Sequence, residues 1–308
     1  MKHSVTCTPL RFLTLALLVV AFSFSTALAQ DANQEIDKAN QAKESFNQAI
    51  EAVQKGDTVT AITMYKGALQ LDDKLADAYL NLGSIYFAQE KFKEAETTFK
   101  KYTEVNPSDP VGFSNLGKVY AAQKKNTDAK TAYESALAAD ANYAEAHKEL
   151  GKIYFGMDNY DAAISSLQKF TAAVTDDYYA FYLLGVAYEK KKQTNEAITA
   201  YQNALKNNPS HFESLRNLGK IYVKKENYTQ GIDYYKKAMQ AKPKDYKTAY
   251  NLAIAVQSKD PNDYDTVIAQ WEEFLKLARK IPKASKQVDN AESVLKQLRE
   301  AKAAAAEQ

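Results

Sequence analysis

Residues 178–211 contain two runs of apolar side chains separated by a polar segment. In the first run, Phe181, Leu184 and Tyr188 follow one another at three- and four-residue spacing, which predicts a helix with one apolar face. The segment KKKQTNE interrupts this pattern before a second apolar run begins. Pro209 ends that run, because proline has no N–H to donate and pushes the preceding residue out of the helical region. The stretch therefore predicts two short helices, and neither can bury its apolar face without neighbours.

The same pattern recurs along most of the chain. A Leu-Gly pair followed three residues later by tyrosine occurs five times, and successive glycines are 34 residues apart. These glycines are Gly83, Gly117, Gly151, Gly185 and Gly219. A fixed period over five occurrences arises by chance far less often than any single motif, so the chain is expected to be built from tandem repeats.

The period and its residues resemble the tetratricopeptide repeat (TPR), a 34-residue unit of two helices. Residues 178–211 fill all eight signature places of that family, with Phe181, Leu184, Gly185, Tyr188, Ala197, Tyr201, Ala204 and Pro209. Glycine and alanine are expected where two helices cross closely, and the aromatic residues where space remains between adjacent units. The resemblance implies an all-α fold, a right-handed superhelical α-solenoid of about seven tandem helix-turn-helix repeats.

The predicted repeat domain covers residues 42–279. Its units are 42–75, 76–109, 110–143, 144–177, 178–211, 212–245 and 246–279. Asp109 and Pro110 are expected to form the N-cap and first turn of the unit 110–143. The first unit has Ala49 in place of the repeat glycine. The last has an insertion of two residues around Pro261, which is expected to put Val267, Trp271 and Phe274 in the core positions. Terminal repeats are expected to be atypical. Residues 280–308 predict a capping helix with Leu295 and Leu298 on its apolar face, followed by a frayed tail.

The N-terminal segment, residues 1–29, has the form of a secretory signal peptide. Lys2 and Arg11 provide positive charge, a short apolar run follows, and a small-x-small pattern ends at Ala29, after which cleavage is expected. The alternative is an uncleaved membrane anchor, but the apolar run is short for a span. Residues 30–41 then form an N-terminal linker. The expected location is the bacterial periplasm or cell envelope.

Charge and cysteine content argue against several classes of function and modification. Removal of residues 1–29 deletes two basic residues and no acidic ones, which leaves 38 of each sign, so bulk charge does not favour nucleic acid. Cys7, the only cysteine, precedes the apolar run, so neither lipidation at the cleavage site nor a disulfide is expected. No second apolar segment could span a membrane.

Signals for an enzyme are sparse. His147 and His211 lie in different units without metal-ligand spacing; His147 takes a core aromatic position and His211 is expected in a turn. Neither a glycine-rich phosphate loop nor a serine-nucleophile motif occurs. The sequence therefore predicts no catalytic residue, no cofactor and no metal.

The resemblance also indicates where a partner would bind, because in the family the first helix of each unit lines a concave groove. Asparagines stand two residues before several repeat glycines or the residue that replaces them, where their amides are placed to pair with an extended peptide. The candidates among them are Asn81, Asn115, Asn217 and Asn251. The alternative is that these asparagines are family consensus residues that pack between neighbouring helices.

Basic and aromatic residues follow the same face. The basic candidates are Lys118, Lys152 and Lys220, each directly after a repeat glycine, with Arg216 and Lys224 one turn on either side of Lys220. The aromatic candidates are Tyr179, Tyr182 and Tyr250, and aromatic residues with arginine are favoured at interfaces. The alternative is a solvated charged face that neighbouring glutamates partly neutralise. The lysine–asparagine–lysine–arginine clamp by which some family members hold a C-terminal carboxylate is not reproduced in order.

Together these features predict a non-catalytic protein–protein interaction scaffold. Its partner would be a protein or peptide segment, with acidic groups favoured, held in the groove. The alternative is a structural subunit of an envelope assembly that docks through its convex face or end helices, with self-association allowed.

Overall fold

The computed structural model describes the backbone of residues 10–306, and the side chains of residue 30 and of residues 33–306. Within this part of the chain there are fifteen α-helices, one short 3₁₀ turn and no β-strand, which confirms the predicted all-α class. Residues 1–9 of the predicted signal peptide, and the side chains of its remaining residues, lie outside the description. In the described part, no helix combines the length and apolarity needed to cross a membrane.

The helices alternate with short turns at the period that the sequence shows. They are α1 (Leu10–Gln54), α2 (Thr58–Leu71), α3 (Ala76–Ala88), α4 (Phe92–Val105), α5 (Pro110–Ala122), α6 (Asn126–Ala139), α7 (Ala144–Gly156), α8 (Tyr160–Ala173), α9 (Tyr178–Lys190), α10 (Thr194–Asn207), α11 (Phe212–Lys224), α12 (Tyr228–Ala241), α13 (Tyr246–Lys259), α14 (Tyr264–Ala278) and α15 (Ser285–Ala306). The 3₁₀ turn Pro282–Ala284 precedes α15. Helix α1 runs without interruption through the segment predicted as a linker, residues 30–41.

The turn inside each of the first six helix pairs contains one residue in the left-handed region. In the first pair this residue is Gly56, with φ of 75°. In the next five pairs, non-glycine residues with φ between 57° and 61° occupy the equivalent place: Glu90, Lys124, Asp158, Lys192 and Glu226. A β-carbon raises the energy of this conformation, so these five turns are held by the packing of the helices on either side.

Capping side chains fix where several helices begin. The Asp109 carboxylate accepts a hydrogen bond from the Val111 N–H, and Pro110 is the first residue of α5. This confirms the predicted cap and start of the helix. The carboxylate pairs with one N–H of the first turn, and proline has no N–H that would need a partner. His211 takes the same role at α11, where its ring nitrogen accepts from the Ser214 N–H.

Close packing within each pair explains the repeat glycine. A β-carbon added at Gly185 would lie 2.7 Å from two ring atoms of Tyr201 on the second helix. An added β-carbon would lie equally close to the ring of Tyr133 at Gly117, and to the side chain of Leu167 at Gly151. In these pairs a β-carbon at the repeat glycine would overlap the facing side chain, so glycine lets the two helices cross closely.

The described chain divides into two compact units, one ending at Ala141 and the other beginning at Asn142. In the first unit, Tyr65, Phe99 and alanines of the facing helices form one core. In the second unit, one core surrounds Leu167, Leu184 and Tyr201.

A further core in the second unit joins α13, α14 and α15. As predicted, Val267, Trp271 and Phe274 are its centre, and Leu295 and Leu298 of α15 are buried against them. Most of the remaining side chains of α15 are exposed and many are charged, so this helix covers the apolar edge of α14 as a cap.

Candidate functional site

All twelve predicted groove residues lie on the first helices of their repeats. In the compact unit that ends at Ala141, Asn81 is on α3, and Asn115 and Lys118 are on α5. In the compact unit that begins at Asn142, Lys152 is on α7, Tyr179 and Tyr182 are on α9, Arg216, Asn217, Lys220 and Lys224 are on α11, and Tyr250 and Asn251 are on α13. Five of them on α9 and α11 come together at one place, described next: Tyr179, Tyr182, Arg216, Asn217 and Lys220. Lys224, the last residue of α11, is not among them.

Aromatic rings form the centre of this place. The ring of Tyr182 lies 4.9 Å from that of His211, 5.9 Å from Tyr179 and 6.1 Å from Tyr201, centroid to centroid. Tyr179 is 44 % exposed, whereas Tyr182 is half-buried. We call Tyr179, Tyr182, His211, Arg216 and Asn217 the Tyr182 cluster. Its tyrosines are held by neighbouring rings and present an aromatic surface at low cost in side-chain entropy.

Arg216 is the cation of this cluster. Its guanidinium carbon lies 5.2 Å from the ring centroid of Phe212, one turn earlier on α11, and its side chain is half-buried. Burial raises the pKa of Tyr182, the Glu213 charge raises it further, and the Arg216 charge opposes both. Within the described residues, no carboxylate oxygen forms an ion pair with Arg216, so its charge is available.

Two of the predicted lysines are already paired within the protein. Lys152 Nζ lies 2.8 Å from a Glu149 carboxylate oxygen, and Lys220 Nζ lies 2.7 Å from Glu189. At these two positions a neighbouring glutamate therefore neutralises the lysine, as the alternative of a solvated charged face predicts. Lys224 is exposed and forms no ion pair within the described part of the chain.

The amide of Asn217 is used inside the protein. Its Nδ2 donates to the Tyr201 hydroxyl over 3.0 Å, and that hydroxyl donates to Glu189 over 3.1 Å. Asn81 pairs in the same way with the hydroxyl of Tyr65, where burial raises the tyrosine pKa and the hydrogen bond lowers it. Both asparagines stand sixteen residues after their tyrosine. At these two positions the amide holds a buried tyrosine on the second helix of the preceding repeat. This is the packing role that the sequence offered as the alternative to peptide binding.

Tyr250 and Asn251 lie further along the same face of the second unit. The Tyr250 ring packs edge-to-face on Trp271 at 5.5 Å and on Phe274 at 5.1 Å, and its hydroxyl accepts a hydrogen bond from Asn290 of α15. The capping helix thus holds this tyrosine in place, while its outer edge stays partly accessible.

Two contributors to the site carried no clear signal in the sequence. His211 was placed in a turn, yet its ring packs on Tyr182 and its Nδ1 lies 2.8 Å from the Ser214 hydroxyl. Glu189 lies in the last turn of α9, and it contacts both Lys220 and Tyr201. The spacing His211-x-x-Ser214 is the one recognisable signal, since a side-chain acceptor three residues before a backbone N–H is typical of an N-cap.

The surface between α9 and α11 forms a shallow depression of about 370 Å³. It is lined by Tyr182, Val186, Glu189, Lys190, Asn217 and Lys220. Among the described residues, no group of three or more His, Cys, Asp and Glu side chains is placed to hold a metal ion. The arrangement offers aromatic stacking, one accessible guanidinium and polar edges, which are means of binding a polypeptide segment.

Comparisons with known proteins agree with this architecture. Two family models, both described as tetratricopeptide repeat, match residues 52–114 and 120–185, and residues 182–246. A sequence comparison with curated proteins gave no significant match.

Similar solved structures include the C-terminal part of a TPR repeat-containing protein from Cytophaga hutchinsonii, with a TM-score of 0.60 and 19 % identity over 79 % of this chain and 99 % of that one. YrrB, described as a TPR protein with an unusual peptide-binding site, has a TM-score of 0.55 and 21 % identity over 63 % and 97 % of the two chains. MamA from Desulfovibrio magneticus has a TM-score of 0.50 and 25 % identity over 56 % and 97 %.

The first two likenesses establish a shared fold and no more. The family models cover most of the region in which the helix pairs follow the 34-residue period. This chain belongs to the tetratricopeptide repeat family.

Proposed function

We propose that the protein is a non-catalytic protein–protein interaction scaffold that binds a segment of its partner on the face formed by α9 and α11. TPR proteins in general bind other proteins or peptides, and this fold is the basis of the proposal. The observation that carries it further is the Tyr182 cluster, in which two tyrosines and a guanidinium without an ion-pair partner share one accessible surface. Such aromatic and arginine anchors supply much of the binding energy in known interfaces.

The proposal also includes export to the bacterial periplasm or cell envelope. It rests on the sequence of residues 1–29, which has the charged, apolar and small-residue regions of a signal peptide. N-terminal sequencing of the protein recovered from its native host tests this part. A chain that begins at Gln30 supports it, and an intact N-terminus overturns it.

Two substitutions on α11 test the binding face. Arg216→Glu reverses the charge inside the Tyr182 cluster, and Lys224→Glu makes the same change two turns later on the same helix. Both side chains lack ion-pair partners within the described residues, so neither change leaves a carboxylate unpaired. Partners are captured by chemical crosslinking in the native compartment and identified by mass spectrometry.

The proposal expects Arg216→Glu to lose the principal partner while Lys224→Glu retains it. If both variants are folded and capture it as wild type does, the partner does not bind this face.

Docking through the end helix is the second candidate, and the structure limits how it could occur. Leu295 and Leu298 are 4 % and 8 % exposed, so they hold α15 onto α14 and are not available to a partner. An assembly that used this end would contact the charged outer side of α15, for example around Lys296. Charge reversal there would then remove the partner while Arg216→Glu had no effect.

A further inference from the structure

One position recurs in four consecutive repeats on this face, three residues before the repeat glycine or its replacement. It is occupied by Lys148, Tyr182, Arg216 and Tyr250. The two cations of this set differ in their surroundings. Lys148 Nζ lies 2.7 Å from Asp177, and this hydrogen bond raises the pKa of Lys148. Arg216 has no such carboxylate among the described residues.

The carboxylates nearest to Arg216 in sequence and on the adjoining repeat are engaged elsewhere. Glu213 Oε1 lies 2.8 Å from Lys242 Nζ, and Glu213 Oε2 lies 3.3 Å from His211 Nε2. Glu189 pairs with Lys220 and accepts from Tyr201. The protein thus provides an internal anion for Lys220 and leaves Arg216 to be paired from outside.

Arg216 is also held in position before any partner arrives. Its guanidinium carbon lies 5.2 Å from the ring centroid of Phe212, and tyrosines occupy the equivalent places in the preceding and following repeats. Tyr182 is fixed by the rings of Tyr201 and His211, and Tyr250 by Trp271 and Phe274. A half-buried guanidinium that is already ordered loses little entropy on binding, and its planar fork matches a carboxylate.

We propose that Arg216 is the receptor for a single carboxylate of the partner segment, an Asp or Glu side chain with an aromatic or apolar residue next to it that packs on Tyr182. Glu189 repels a second carboxylate beside Lys220, so the site selects one acidic residue over an acidic run. This inference rests on the proposed function, because it specifies the partner chemistry at the same face.

The test uses random dodecapeptides displayed on phage, selected on the full chain. Wild type, Arg216→Gln, Glu189→Gln and, as a control on α12 outside the predicted groove, Lys236→Gln serve as separate baits, each confirmed as folded by circular dichroism. Wild type and Lys236→Gln are expected to enrich peptides with one acidic residue beside an aromatic or apolar one. Arg216→Gln is expected to lose the acidic preference and keep the aromatic one, and Glu189→Gln to accept a second acidic residue.

A selected peptide then gives the magnitude. Changing its acidic residue to the matching amide weakens binding to wild type by about 10- to 100-fold, as expected for a charge-assisted hydrogen bond, and leaves binding to Arg216→Gln unchanged. Arg216→Lys is expected to restore part of the preference, because it keeps the charge and loses the planar fork.

The outcomes separate the two proposals. If no bait enriches peptides, the proposed binding function fails and this inference fails with it. If peptides are enriched but show no acidic preference, or if the preference survives in Arg216→Gln, the binding function stands and the role of Arg216 is refuted.

Discussion

Replacement of Gly185 by alanine tests how closely the helices of one repeat are packed. The added β-carbon would lie 2.7 Å from two ring atoms of Tyr201 and 3.1 Å from a third. The ring cannot easily move away, because Tyr201 is fully buried and its hydroxyl is bonded to Glu189 and Asn217. Overpacking of this kind costs about 1–3 kcal/mol, and removal of glycine from a helix returns about 0.5–1 kcal/mol. The two terms leave a net loss of about 0–2.5 kcal/mol, and because the ring is held in place we expect the upper half of that range, roughly 1–2.5 kcal/mol.

Gly67 provides the matched control. It also lies within a helix, α2, but an added β-carbon there has no heavy atom of a neighbouring element within 4 Å. Gly67→Ala should therefore raise the free energy of unfolding by about 0.5–1 kcal/mol through helix propensity alone. The two substitutions are chemically identical and should differ in sign.

Native-state hydrogen exchange is the appropriate assay, because repeat arrays can unfold in parts and a single global free energy is then not defined. Amides of α9 and α10 should exchange faster in Gly185→Ala, and amides of α2 more slowly in Gly67→Ala. In a Tyr201→Ala background, the cost of Gly185→Ala should largely disappear. The packing argument is refuted if Gly185→Ala is as stable as wild type, or if its cost is the same with and without the ring.

Three further predictions concern turns, pH and the cap. Lys124→Gly should stabilise its turn by about 0.5–1 kcal/mol, and Gly56→Ala should destabilise the equivalent turn by about 1 kcal/mol, since a β-carbon is unfavourable at positive φ; native-state hydrogen exchange of the amides in the flanking helices checks both, and a change of the same sign in the two variants would contradict the prediction. Burial lowers the pKa of His211 below 6.5, so the unfolded chain binds this proton more readily than the folded one, and the free energy of unfolding should fall as the pH drops below 6.5. When the stability of His211→Gln is measured against pH, this decrease should be absent. A rise in stability on acidification that requires His211 would contradict the prediction. Leu295→Ala should cost about 2–5 kcal/mol and accelerate exchange in α15, whereas unchanged exchange there would mean that this side chain does not hold the cap.

Much of the fold could be predicted because the period of the apolar positions reports directly on helix pairing. The residues of unit 178–211 predict a close helix crossing at Gly185, and the structure has one there, although the side chain opposite is that of Tyr201, which the sequence placed between adjacent units. The start of α5 at Pro110 followed from the geometry of proline itself. These features depend on backbone and packing constraints that each repeat satisfies locally.

The candidate site could be predicted only in part, because its electrostatics depend on contacts between repeats. The pairing of Lys220 with Glu189 joins residues 31 positions apart, and a charge pattern alone does not reveal which acid a flexible lysine reaches. The sequence treated Lys220 and Arg216 as members of one basic strip, and the structure distinguishes them. Likewise the sequence could not decide whether the Asn217 amide binds a peptide or an internal group, because that depends on the position of the Tyr201 hydroxyl to which it donates.

The left-handed residues in the turns are a second feature that the sequence did not indicate. Glycine marks such a conformation at Gly56, but Lys124 and Glu226 adopt it without that signal. The neighbouring helices impose it, since the repeat geometry fixes the turn whatever residue occupies it.

The central claim is that a partner segment lies on the face of α9 and α11, and site-specific photo-crosslinking tests it most directly. A benzophenone side chain is introduced at Tyr179, the exposed tyrosine of the Tyr182 cluster, and separately at Lys296 on the outer side of α15. After irradiation in the native compartment, the account predicts that one principal partner crosslinks at position 179, that Arg216→Glu abolishes this crosslink, and that position 296 gives none. A partner that crosslinks at position 296 and not at 179, or a crosslink at 179 that persists in Arg216→Glu, would contradict it.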